Sequence, residues 1–155
     1  MKIELTSTAF QEGHAIPTRY TGDGQDVSPP LQWNDPPPAT LSLALICDDP
    51  DAPGGAFTHW VLFLLPAESR KLAEGVPTEA TLADGSAQGT NDFQRVGYSG
   101  PAPPRGKPHR YVFTVYALDN RPALHPGATK DQVLGAIKGH ILDRGQLTGK
   151  YARLR

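Results

Sequence analysis

Cysteine is all but missing: Cys47 stands alone in 155 residues, so no internal disulfide can form and nothing asks for an oxidising compartment. Long apolar runs are missing too. No stretch approaches the roughly 18 apolar residues of a membrane-spanning helix, and the opening "MKIELTSTAF" carries Glu4 and no apolar core of signal-peptide length. A cytoplasmic protein with no membrane span is the expectation. The net charge is only -1, which leaves no basic field to displace counterions and argues against nucleic acid as a partner. There is no G-x-x-x-x-G-K-S/T phosphate loop, no H-E-x-x-H ligand spacing and no G-x-S-x-G elbow. These gaps weigh against a nucleotide-dependent phosphotransferase, a metal centre and a serine hydrolase. No repeat and no strand-helix-strand alternation is seen, so a doubly wound sheet is not expected.

Breakers of regular structure are abundant. With 16 prolines and 16 glycines, a helical bundle is not expected, and the length suits one domain, residues 1 to 155, around a single core. The small net charge hides an asymmetry. Residues 1 to 51 carry eight acids and two bases, whereas residues 105 to 155 carry ten bases and three acids. The two ends are expected to pack together and neutralise, or to leave a basic face for an acidic partner or a lipid headgroup.

Three segments read as strands. "LSLALIC" (41 to 47) alternates, with Leu41, Leu43, Leu45 and Cys47 on one face; this makes Cys47 a small buried hydrophobe rather than a nucleophile. "HWVLFLL" (59 to 65) is apolar on both faces and "RYVFTVYAL" (110 to 118) is rich in aromatic and β-branched residues, so both should be central. Weaker strands are expected at 3 to 9, 86 to 90 and 146 to 151, and the proline-dense segment 28 to 40 reads as loop. Thr129 to Gln132 has the spacing of a capping box, with Val133, Ile137 and Ile141 recurring at helical intervals. The fold class is mainly β: an antiparallel β-sandwich with a C-terminal helix and small peripheral helices.

Two stretches carry chemistry. In "CDDPDAPGGAFTHW" (47 to 60), Asp48, Asp49 and Asp51 crowd three carboxylates into four positions, braced by Pro50 and Pro53, and His59 opens a central strand. Close carboxylates repel unless a cation, a proton or strong donors hold them. In "GPAPPRGKPHRYVFTVYALD" (100 to 119), prolines lead stiffly into His109 and Tyr111, which alternation places on one face with Phe113 and Val115. Gathered at one end of the sheet, these groups could bind a metal, run acid-base hydrolysis of a small phosphoester, or receive an anion on imidazole, phenol and backbone donors. The missing motifs favour the last, with no cofactor and no catalytic residue.

The motifs "DPDAP" (49 to 53), "HW" (59 to 60), "GPAPPRG" (100 to 106) and "HRY" (109 to 111), with "YTGDGQDVSPPLQW" (20 to 33) and "GTNDFQRVGYSGP" (89 to 101), resemble the phosphatidylethanolamine-binding proteins. The likeness is to the short bacterial and archaeal branch called Raf kinase inhibitor-like, and it covers nearly the whole chain. It implies an anion pocket formed by Asp49, His59, His109 and Tyr111, with Asp51, Pro53, Gly100 and Pro101 shaping its rim. Members bind phosphate, acetate or the phosphoethanolamine headgroup there. On this basis a protonated His59 or His109 and the Tyr111 hydroxyl donate to the anion, while Asp49 orients a histidine or receives the ligand's ammonium. A kinase or protease partner, met through the protein surface, is the second implication, and a homodimer is left open. One proline bond in the stiff loops is open to being cis.

Overall fold

Alternating large side chains draw three long strands into the middle of the protein. The computed structural model describes residues 3 to 153. In chain order the elements are β1 (Leu5–Thr6), β2 (Leu31–Trp33), β3 (Ser42–Asp49), β4 (Phe57–Pro66), β5 (Lys71–Leu72), β6 (Ala87–Thr90), β7 (His109–Leu118), β8 (Gly127–Thr129), α1 (Lys130–Ile137) and β9 (Ile141–Tyr151). A six-stranded sheet runs β8-β6-β4-β3-β7-β9, and a three-stranded sheet runs β1-β2-β5. Neighbours are antiparallel except β6 and β8, which pair in parallel. The expected sandwich is therefore present, and its three strong strands lie side by side at the centre.

Each face of the large sheet has its own apolar layer. Leu43, Leu45, Cys47, Trp60, Leu62, Phe113 and Val115 meet Leu5, Leu31 and Trp33 of the smaller sheet. On the other face Ala44, Ile46, Val61 and Phe63 meet Val133 and Ile137 of α1. Cys47 is 1% exposed, and burial pushes its thiol well above the ordinary range. Such a thiol is inert.

Two β-bulges in β4 correct simple alternation. Leu45 pairs with Leu62 but Leu43 pairs with Leu65, so β4 carries one residue more than β3 there. The extra residue restores Leu65 to the face of Leu62, and Leu64 takes a left-handed φ of 59° at the kink. The second bulge lies at the other end. Cys47 pairs with Trp60 and Asp48 with Thr58, leaving His59 without a partner in this ladder.

Several expectations shift. β2 lies inside the segment read as loop, held between β1 and β5; β5 and β8 were not anticipated at all. Leu41 precedes its strand and is 44% exposed. The capping box is present at Thr129 and Gln132, but α1 stops at Ile137, Gly139 turns the chain at φ 82°, and Ile141 begins β9. Among the described residues every peptide bond is trans, the proline bonds included. The acidic and basic ends do meet, since Arg153 and Tyr151 both bond the Asp23 carboxylate.

Candidate functional site

A bulge sets two successive residues against one, and it re-aims side chains locally. Here it turns His59 inward beside Trp60, while Thr58 faces the opposite side and donates to Asp48 at 2.9 Å. His59 is 3% exposed, with Nδ1 2.6 Å from the Ser99 carbonyl oxygen. A carbonyl only accepts, so Nδ1 carries the hydrogen and Nε2 is left free. Burial lowers the pKa of His59 below its ordinary value, opposed in part by the Ser99 bond. Burial thus favours the neutral form of His59 in the free protein.

The acidic turn after β3 divides its three carboxylates among three tasks. Asp49 is 3% exposed; its Oδ2 lies 2.6 Å from His109 Nδ1 and its Oδ1 accepts from the Asp51 backbone N–H at 2.8 Å. The bond from His109 Nδ1 means that Asp49 orients that ring. Asp51 turns away from the cavity and takes the Arg110 backbone N–H at 2.9 Å, its Nε at 3.0 Å and its Nη2 at 2.8 Å. Those bonds hold its carboxyl at about 2. Asp48 points through to the other face of the sheet, bonded to Thr58 and, at 2.7 Å, to Lys130.

Tyr111 completes the floor. Its side chain is fully buried, edge-on to His59 at 5.2 Å, and its hydroxyl has no hydrogen-bond partner. Burial first, and the Asp49 charge second, push its phenol far above the ordinary range. The O–H thus remains a donor, near the Asp49 carboxylate but without a partner at hydrogen-bonding geometry.

The loop from 91 to 104 forms the opposite wall. Asn91 stitches it down: its amide donates to the Ser99 hydroxyl and the Gly97 carbonyl, both at 3.0 Å, and its oxygen accepts from the Phe93 and Arg95 backbone. That turn delivers Phe93 edge-on to Phe57 at 4.7 Å and to His59 at 5.4 Å. Gly100 donates its backbone N–H to Asp26 at 2.6 Å, and a Cβ there would run into the Tyr20 carbonyl oxygen. The Pro101 carbonyl accepts from Gly22 at 2.8 Å.

Between these walls lies a cavity of about 190 Å³. Asp49, Pro53, His59, His109 and Tyr111 line it as expected, whereas Asp51, Gly100 and Pro101 do not and instead brace the loops behind it. The sequence reading missed Ala52, Phe57, Phe93, Ala102, Pro103 and Pro104. Phe57 could have been found, because it stands two residues before His59 on a strand; Phe93 lay within a quoted motif but carried no periodic signal. Among the described residues no group of three His, Cys, Asp or Glu side chains is placed to hold a metal ion, and no helix is long and apolar enough to cross a membrane.

A family model described as phosphatidylethanolamine-binding protein matches residues 6 to 152. A UPF0098 protein of Methanothermobacter thermautotrophicus is 51% identical over 151 residues, covering 97% of this chain and 99% of that one. The crystal structure of a phosphatidylethanolamine-binding protein homologue, CT736 of Chlamydia trachomatis, is similar with a TM-score of 0.89 at 38% identity, over 98% of both chains. That of Escherichia coli YbcL, described as a new member of the mammalian PEBP family, reaches 0.91 at 29% identity over 99% of both. The match of a family model across the two sheets and the whole pocket, with relatives aligned end to end, means that the chain belongs to the phosphatidylethanolamine-binding protein family.

Proposed function

We propose that this pocket is a receptor for small phosphate- or carboxylate-bearing ligands, phosphorylated headgroups of the phosphoethanolamine kind included, and not the active site of an enzyme. One observation carries the reading: Tyr111, fully buried and with a hydroxyl that has no hydrogen-bond partner, lines a cavity shared with two histidines. Leaving a buried donor unsatisfied costs about 1–3 kcal/mol. A ligand oxygen at that point removes the cost.

The remaining polar groups suit an anion. His59 and His109 each have Nδ1 bonded to an acceptor fixed in the protein, Ser99 and Asp49 respectively, so each ring is oriented and offers only Nε2. An anion beside His59 favours the imidazolium that burial disfavours. Binding then takes up a proton, and affinity falls as pH rises. No serine, threonine or cysteine is among the described lining residues.

Calorimetric titration with O-phosphoethanolamine, inorganic phosphate and sulfate at pH 6 and pH 8 tests the reading. Sulfate keeps its charge across this range, so its pH dependence belongs to the protein. Saturable binding at pH 6 that weakens at pH 8, and that falls in His59→Ala and His109→Ala, is expected. Affinity untouched by both substitutions would place the ligand elsewhere, and turnover of a phosphoester lost in the same variants would make the site catalytic.

A further inference from the structure

The two pocket histidines are held by different acceptors, His109 by a carboxylate and His59 by a backbone carbonyl. We infer that His59 has a carboxylate behind it as well: Asp26 is a positioning residue that acts through the one peptide group joining Ser99 to Gly100, fixing the His59 ring and strengthening its Nε2 as a partner for an anion. Its role in binding rests on the pocket being an anion receptor.

The chain of bonds is short. His59 Nδ1 donates to the Ser99 carbonyl oxygen at 2.6 Å, and the N–H of that same peptide group, carried by Gly100, donates to Asp26 Oδ1 at 2.6 Å. The peptide bond is trans, so its C=O and N–H point in opposite directions and the two partners sit on either side of one rigid plane. Amide resonance couples them. A carboxylate drawing on the N–H shifts electron density onto the carbonyl oxygen, which then accepts more strongly from the imidazole. An Nδ1–H held more strongly makes Nε2 more basic and supports the imidazolium that an anion favours.

The surroundings meet what such a relay requires. Asp26 takes a left-handed φ of 59°, a conformation that Asp and Asn tolerate better than other side chains, and its backbone N–H is tied to the Arg19 carbonyl at 3.0 Å. A Cβ at residue 100 would stand 2.8 Å from Asp26 Oδ1, so glycine is what lets the carboxylate reach the N–H. Asp23, in the same loop, is paired with Arg153, whereas Asp26 makes no ion pair among the described residues. Other charged or titratable groups face His59: Asp49, which with Asp48 favours its protonation, His109 and Tyr111 across the cavity, and Arg95 over the Phe93 ring. None of these bonds His59 Nδ1.

Asp26→Asn keeps the size, the backbone conformation and an acceptor while removing the charge, and Asp26→Gly suits the same φ while removing the acceptor. In the ligand-free full chain, the proton resonance of His59 Nδ1–H, assigned by its loss in His59→Ala, should move upfield in Asp26→Asn and further in Asp26→Gly. The His109 Nδ1–H resonance should stay in place. Sulfate affinity at pH 6, read by calorimetry, should fall roughly three- to ten-fold in Asp26→Gly and by less in Asp26→Asn. A His59 resonance unmoved in both variants would overturn the inference, and so would an equal movement at His109, which would mark a general disturbance of the pocket. A moved resonance with sulfate affinity unchanged in both variants would overturn it while leaving the receptor standing. Failure of the parent protein to bind either sulfate or phosphate would overturn the receptor reading and the binding role of Asp26 with it, an outcome that the ligand-free resonances keep separate from the others.

Discussion

Asp48 and Asp49 are adjacent on one strand and enter opposite environments. On the helix-covered face, Asp48 bonds the Thr58 hydroxyl and the Lys130 ammonium, a cluster closed upon itself. On the inner face, Asp49 serves a histidine that offers its other nitrogen to a cavity, next to a tyrosine hydroxyl bonded to nothing. A polar cluster that satisfies itself supports the fold. One that stops short of satisfying itself, while walled in by apolar rings, is built to be completed by something else.

The sharpest way to break this contrast is to exchange the two aspartates' fates. Asp49→Ala should lower phosphate affinity by roughly 10- to 100-fold, the range expected for a hydrogen bond to a charged group, because His109 loses the acceptor that orients it. Asp48→Ala should leave phosphate affinity within about two-fold, since its side chain belongs to the other face, and should cost roughly 1–3 kcal/mol of stability, because the buried Thr58 hydroxyl loses its acceptor. Titration calorimetry and urea unfolding read both variants, and a comparable loss of affinity in each would erase the distinction between the faces.

Next in size is Tyr111→Phe, which separates binding from stability. Removing the hydroxyl should weaken phosphate binding about ten-fold, through one lost hydrogen bond. Without ligand the variant should be as stable as the parent or more stable by up to about 1 kcal/mol, because the unsatisfied donor is gone. A clear drop in Tm would show that the hydroxyl already has a partner.

The two faces of the pocket loop also titrate in different windows. His59 has a folded pKa below its unfolded value near 6.5, so the unfolded chain binds more protons as pH falls through that region and stability drops there. Asp51 has its pKa lowered to about 2, so its contribution is present above pH 4 and lost as pH falls toward 2. Thermal melts from pH 8 to pH 2 should show two stages of decline. His59→Phe should remove the upper stage and keep the lower one, and sulfate should oppose the upper stage in the parent protein only.

The smallest effect is expected at Arg110, whose side chain is 55% exposed. Arg110→Ala breaks an exposed ion pair but leaves the backbone N–H bond to Asp51, so affinity should change less than about three-fold. A larger loss would mean that the Asp51–Arg110 pair positions His109 more strongly than its exposure suggests.

Much of this architecture was legible before any coordinates. The strands around Leu43, Phe63 and Phe113 announce themselves by side-chain alternation and by the absence of proline. Thr129 and Gln132 announce the helix start through reciprocal hydrogen bonds only three residues apart. His59, His109 and Tyr111 stood out because unusual residues sit where strong strands begin or end, whereas the family resemblance singled out Asp49 from its neighbours Asp48 and Asp51. Ile141 misled because its spacing continues the helical period, and nothing but the turn at Gly139 breaks it. β2 misled in the opposite direction: prolines surround Leu31 to Trp33 without falling inside it.

What the sequence determined by itself are features settled within a few residues: which segments extend, where the helix is capped, and which side chains share a face while the alternation holds. Only the tertiary structure decided where alternation fails. The bulge at His59 is a single unpaired residue fixed by register against β3, and it leaves no mark in composition. Which aspartate meets His109, 60 positions away, and which phenylalanine closes the wall opposite Phe57 are likewise settled by pairing across the sheet. Local preferences act through bonds and neighbours along the chain, whereas this pocket is made from contacts between segments that only the packed sheets bring together.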